Sequence, residues 1–428
     1  MFAATTITGL QKTTSYKVVL PFYIYAALSF LLACVLLLVN TGVVHQHYFQ
    51  PQTLAITHLM ALGWGTMIIL GASHQLLPVL IEGKLDSETL AHFSFFLGAI
   101  GIPFLVAGFY FFHLGWVLQT GAILVNASVI CYFLNVINSI FESKRFDIYA
   151  LFISTAALWL FITVFFGLLL VFNFTRSILP ENSLEYLSLH AHMGLVGWFL
   201  LLVIGVASRL IPMFLISKYS DTRTLWWIYT LVNAALLGFT LLKTLKWYPQ
   251  LYYTPFLLVF IALILFGNYC YKAYKVRIRK QVDEQMKISL LSVALLFLPL
   301  LSLFGVIYFI SVDEQVSNVV LLYGFCIFFG WITAIIFGMT FKTLPFIVWN
   351  KVYQSRALGK TPAPKELFSE KLFKLMSICY LLGFVLFIAG IIFLNDIMLK
   401  GGAAALLASA IFYVANVAKT LIHQPERK

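Results

Sequence analysis

Twelve runs of apolar residues dominate this chain, from 18–40 and 53–80 through 187–216 and 316–349 to 399–422. Each supplies the roughly 20 residues that a helix needs to cross about 30 Å of hydrocarbon. Charged residues make up only 10% of the sequence, and mean hydropathy is +0.95; soluble proteins carry about 25% charged residues. The expected fold class is therefore all-α integral membrane, with twelve transmembrane helices. Lys12 and Lys17 precede a first segment too long for the core of a cleavable signal.

The net charge of +12 invites a nucleic-acid reading, but topology accounts for it. With both termini in the cytoplasm, 23 of the 28 Lys and Arg lie on the inner side. Arg176, Lys243, Lys246 and Lys400 fall outside, and Arg209 sits near the inner end of a span. That asymmetry is the positive-inside rule at work, so the bilayer is the expected partner and nucleic acid is not. Cys34, Cys131, Cys270, Cys326 and Cys379 stand singly in apolar segments, without metal-ligand spacing, and read as small buried hydrophobes.

A signature recurs three times. Gly63-Trp64, Gly71 and Pro78 return as Gly197-Trp198, Gly205 and Pro212, then as Gly330-Trp331, Gly338 and Pro345, with identical spacing. Chance would produce even one extra copy about once in 1000 such chains. The repeats run over approximately 15–145, 146–280 and 281–423, with 424–428 as a short cytoplasmic tail. Each holds four spans and carries the signature on its second. An even number of spans per repeat keeps all three in one orientation, which predicts a pseudo-three-fold arrangement about the membrane normal. The Gly and Pro positions read as a close-packing seam and a helix end.

Six residues before each Trp stand His58, His192 and Phe325; eight before stand Ile56, His190 and Tyr323. Ionisable residues inside a span are functional candidates by default. His58 and His192 lie at matching depth near the external third of the bilayer and could converge on one object, a haem iron with two axial imidazoles or a copper ion. His190 lies about 200° around the helix from His192, so these two face different neighbours. His74 is some 24 Å deeper than His58 at ~1.5 Å per residue and reads as an inner-interface polar residue. His45 and His47 form a weak external His-x-His pair, and His92, His113 and His423 sit at segment ends. Gln75, Arg209 and Lys342 share another repeat position, where long basic side chains snorkel. No Asp or Glu falls at mid-membrane, where proton-coupled carriers keep one.

This pattern resembles subunit I of the haem–copper oxidases, nearest in feel to the cbb3-type and nitric-oxide-reductase branches. "THLMALGWGTMIILGASHQLLP" looks like the family's second helix, whose histidine binds the low-spin haem; that role falls to His58. "HAHMGLVGWFLLLVIGVASRLIP" occupies the sixth-helix position of a copper ligand, which would be His192. Its wording is closer to the tenth helix, where His-x-His serves two haems, so that His192 would pair with His58 and His190 would face a second haem. The tenth span, from "YGFCIFFGW", has no histidine, and the seventh, "TLWWIYTLVNAALLGFTLL", lacks the copper pair. An active oxidase or nitric oxide reductase would need ligands from Tyr323, Cys326 or Met339. NnrS-like haem and copper proteins linked to nitric oxide tolerance are also similar in span number and His-x-His. What the resemblance implies is a haem b protein of the bacterial plasma membrane, multi-pass with both termini cytoplasmic. It would serve electron transfer or a nitric oxide or oxygen response in respiration, beside respiratory subunits or a donor such as cytochrome c or quinol. The competing reading is a non-catalytic copper or haem permease using His190, His192, His45 and His47.

Overall fold

A computed structural model describes residues 14–143, 146–278, 280–314, 317–353 and 361–424. Lys12 and most of the expected tail, 425–428, lie outside the described residues. Among those described, twelve helices are long and apolar enough to cross a membrane. They are α1 (Tyr16–Val39), α2 (Pro51–Leu80), α3 (Glu88–Tyr110), α4 (Trp116–Phe141), α5 (Ile148–Arg176) and α6 (Leu187–Leu215). The second half holds α7 (Thr222–Thr244), α8 (Pro249–Lys275), α9 (Glu284–Ser311), α10 (Ser317–Tyr353), α11 (Glu370–Phe393) and α12 (Asp396–Leu421). This is a multi-pass, all-helical membrane protein.

The odd-numbered helices share one kind of start. Ser15, Ser87, Asp147, Asp221, Asp283 and Ser369 each accept a backbone N–H from the first turn of α1, α3, α5, α7, α9 and α11. Such caps satisfy amides that the helix cannot bond itself. Two of the caps are gripped in the same way. Asn135 of α4 accepts from Ser87 N and donates to Ser87 O, and Asn416 of α12 does the same to Ser369.

Inside each repeat the first helix packs on the second at the recurrent glycine. A Cβ on Gly71 would stand 2.6 Å from Phe22 Cβ, and one on Gly338 would stand 2.6 Å from Gln285 O. Gly205 abuts Phe152 in the same way. Side chains are excluded there because the helices are already in contact.

The three signature helices share a feature that composition does not announce. Each turns π-helical for a short stretch: Leu59–Thr66 in α2, Met193–Leu200 in α6 and Cys326–Ile332 in α10. Each stretch begins at the residue after His58, His192 or Phe325. In a π turn the N–H reaches five residues back, which leaves carbonyls to be satisfied otherwise. Thr333 Oγ1 donates to Phe328 O, five residues earlier, at 2.7 Å.

The signature tryptophans join one repeat to another. Trp198 Nε1 donates to Thr66 Oγ1 at 3.1 Å, and Trp64 Nε1 donates to Thr333 Oγ1 at 3.1 Å. Both indoles are almost wholly buried. Thr66 and Thr333 stand two residues past their own Trp; the matching position in α6 is Leu200, which cannot accept. Around the outside, α4 packs along α5 and α12 along α1, whereas α8 meets α9 less extensively, through Gln250 Nε2 to Ser311 O at 3.3 Å and Phe304 against Tyr253 and Phe256. Within α9 the α-helix breaks at Leu296, just before Pro299. Proline has no N–H and crowds the carbonyl four residues back, so the turn cannot close.

Candidate functional site

The residues six and eight before each Trp meet across the junctions between consecutive repeats. Between the first and second repeats, His58 of α2 faces His190 of α6, with ring centroids 6.4 Å apart and planes 24° from parallel. Between the second and third, His192 of α6 faces Tyr323 of α10, with centroids 5.9 Å apart and planes at 21°. At the equivalent place on α10, Phe325 is buried and stacked on Phe387 at 4.5 Å, with Phe329 and Phe384 close by. Two junctions thus carry polar ring pairs, while Phe325 sits in a plug of phenylalanine.

The pairing expected from matching depth, His58 with His192, is therefore not the arrangement found. Equivalent residues of successive repeats point into successive gaps, so a shared gap takes one side chain from each of two different repeat positions. His190 and His192 do lie on opposite sides of α6, as their separation of about 200° requires.

Backbone hydrogen bonds fix the tautomers. His58 Nδ1 contacts Leu54 O at 2.8 Å, and His192 Nδ1 contacts Ser188 O at 2.7 Å. A carbonyl only accepts, so the proton sits on Nδ1 in both rings and Nε2 keeps its lone pair. This is the way metal-binding imidazoles are commonly oriented. For His192 that nitrogen is engaged by the Tyr323 hydroxyl at 3.3 Å. For His58 it is left for an outside partner. Across the gap, His190 Nδ1 is buried with no hydrogen-bond partner.

These two imidazoles line a cavity of about 190 Å³ whose walls are mostly apolar, including Leu54, Phe109, Val125, Leu168 and Trp198. On the scale of ~15 Å³ per water centre, that is room for about a dozen waters. Phe109 stacks on His58 at 4.6 Å. Gly167 backs His190 closely: a Cβ there would lie 2.8 Å from His190 Cε1. Half of the 6.4 Å centroid separation is about 3.2 Å, and subtracting the ~1.2 Å from ring centre to nitrogen leaves a metal–imidazole bond of about 2.0 Å. The spacing would suit one metal if each ring turned a nitrogen along the line of centres.

Two imidazoles alone suit a narrow set of ligands. No group of three or more His, Cys, Asp or Glu that could hold a metal occurs among the described residues. A four-coordinate zinc site needs more donors than this. A haem iron does not, because the macrocycle supplies the other four nitrogens and asks for apolar walls. The donor pair and the apolar walls suit that group in kind, but a cavity with room for about a dozen waters must widen to admit a whole macrocycle, and no Lys or Arg lines it.

Most of the remaining candidates have ordinary partners, but both ring nitrogens of His74 are buried without one. His45 Nε2 meets Asp396 Oδ1 at 2.7 Å, and His47 Nδ1 accepts from Phe49 N at 3.1 Å. Tyr353 and His423 pair at 2.8 Å. His74, expected at an interface, is 1% exposed and lies against Phe22 and Tyr132. Arg209 lies over Tyr149 and 3.9 Å from Glu82, and Lys342 pairs with Asp283. Phe109 has no role in the sequence reading, and Tyr323 has only that of a ligand an active oxidase would need; the signal for its place beside His192 is its repeat equivalence to His190. No protein-family model matches this chain, and no curated protein does either.

Proposed function

We propose that this chain is a haem-binding protein of the bacterial plasma membrane, with His58 and His190 as the two axial ligands of a b-type haem. The observation that carries the reading is the 6.4 Å imidazole pair, set in an apolar cavity between repeats. The cyclic order of contacts (Trp198 to Thr66, Trp64 to Thr333, His58 to His190, His192 to Tyr323) supports a pseudo-three-fold arrangement of repeats. The excess of inner Lys and Arg supports cytoplasmic termini.

A bound haem would supply one-electron redox chemistry. The protein's own part is to orient the imidazoles, His58 through Leu54 O and His190 through the backing of Gly167, and to exclude water with Phe109, Leu168 and Trp198. With both axial positions taken, such a site favours electron transfer over binding of oxygen or nitric oxide. Kinship to the haem–copper oxidases remains part of this reading, as a relative that has kept one haem site. A three-ligand copper centre beside an open iron would need donors that Phe325 and the seventh span do not offer.

The test is the pigment of the purified protein. A sharp alpha band on reduction, lost in His58→Ala and His190→Ala but kept in His192→Ala, is the expected result. Loss in His58→Ala and His192→Ala with retention in His190→Ala would restore the pairing read from the sequence. Copper without haem in elemental analysis would favour a metal-handling role instead.

A further inference from the structure

A second cavity, of about 300 Å³, lies between the second and third repeats, apart from the one holding His58 and His190. It is a shaft walled by α6, α7, α8, α9 and α10. On α8 its lining runs from Tyr252 to Leu263, about 16 Å at 1.5 Å per residue. That is close to the ~15 Å of hydrocarbon in one leaflet. The inner end is shut, for Leu200, Leu236, Leu263, Leu296 and Trp331 are all buried. On the lipid side, Gln250 against Ser311 and Phe304 against Tyr253 and Phe256 close α8 onto α9. The shaft opens at its outer end, where Ile310, in the last turn of α9, lines it and is 45% exposed.

Lys243 stands half-buried at this mouth, in the last turn of α7. Lys246, three residues on, pairs with Glu181 at 2.6 Å, whereas no carboxylate among the described residues pairs with Lys243. Deeper in, His192 and Tyr323 line the shaft and bond each other, so neither needs an outside partner. The occupant that suits these walls is apolar along its length and anionic at its outer end. At ~15 Å³ per water-sized group there is room for about twenty such groups, which admits one acyl chain of about sixteen carbons and not two. A chain already dissolved in lipid gains little from apolar walls as such. What favours the shaft is the ammonium at its mouth and the contacts that unfilled walls forgo.

We propose that this shaft binds a long-chain fatty acid, its carboxylate at Lys243 and its chain running inward past His192 and Tyr323 to Trp331. The site is separate from the haem pair and does not rest on it; binding is read without any pigment.

The experiment uses the full chain in phosphatidylcholine nanodiscs, with tritiated palmitate as the probe and empty nanodiscs as the blank. The expected result is one saturable site per chain. Methyl palmitate, which keeps the chain and loses the charge, should compete about 10-fold less well, the worth of one charge-assisted hydrogen bond. Lys243→Gln should weaken palmitate by the same factor and leave methyl palmitate unchanged, and Lys243→Arg should keep the parent affinity. Ala235→Trp and Leu300→Trp, which fill the shaft from opposite walls and leave the mouth intact, should each remove saturable binding while the melting profile confirms folding. Cholate, the same charge on a rigid fused-ring body, should not compete. Equal affinity for methyl palmitate, or full competition by cholate, overturns the proposal. Unchanged binding in Lys243→Gln, or in both tryptophan variants, does so too. Palmitate binding that appears in lipid-free detergent and is abolished by phosphatidylcholine also overturns it, because the shaft would then hold a phospholipid.

Discussion

Gly167→Ala isolates the haem reading from mere loss of an imidazole. The added Cβ would stand 2.8 Å from His190 Cε1, whereas ordinary contacts begin at 3.4 Å. The ring must therefore withdraw by about 0.6 Å, three times the ±0.2 Å within which metal–ligand distances hold. The helix itself gains from the change, since Ala is favoured over Gly by about 1 kcal/mol, which offsets much of an overpacking cost of about 1–3 kcal/mol. The variant should fold and incorporate haem, yet show a weakened or high-spin spectrum as the His190 bond lengthens. Gly238→Ala, on α7 and outside this cavity, is the control, because its Cβ would meet nothing within 4 Å. Absorption and magnetic circular dichroism of the two purified variants decide the matter. A low-spin spectrum in Gly167→Ala identical to the parent would refute His190 as a ligand, and equal damage in both variants would refute the steric argument.

Thr66→Val should cost about 1–3 kcal/mol in detergent unfolding, because it leaves the buried Trp198 N–H without its acceptor. Thr333→Val should cost at least as much, since the same hydroxyl serves Trp64 and Phe328 O. Phe325→His restores a histidine at the third repeat position but should add no haem, because Phe384 and Phe387 surround it; a doubled haem-to-protein ratio would contradict this. Asp221 caps α7 and is held below the ordinary carboxyl range, first by the Thr224 hydroxyl and then by the Thr224 amide. A depressed pKa stabilises above the ordinary value of 3.8 and is lost as pH falls below it. Asp221→Ala should therefore cost about 0.5–2 kcal/mol at pH 7, with a smaller difference from the parent at pH 3.

The spans and the glycine seam were legible because both are local: an apolar run has a length, and a small residue in register has a packing consequence. The opposed faces of His190 and His192 were legible too, since both lie in the regular α-helical start of α6. The partner of His58 was not. It depends on which gap each face meets once the repeats close on one another; matching depth pointed to His192, whereas the ring that faces His58 is His190. Tyr323 was visible as the repeat equivalent of His190 and as a ligand an active oxidase would need, and neither relation names its contact with His192. The π stretches left no sign beyond Gly-Trp, and a face computed at 100° per residue from histidine to tryptophan crosses them and drifts.

Those three π stretches each leave one spare residue between the two ends of a rod. A π turn spends one residue more than an α turn on the same rotation, so deleting a single residue within Leu59–Thr66 would return that stretch to ordinary α-helical winding with His58 still aimed much as it is against Trp64. The imidazole would keep its gap, and the Trp, Gly and Pro below would keep their grip on neighbouring helices. A residue can in this way be gained or lost between the two ends without repacking either.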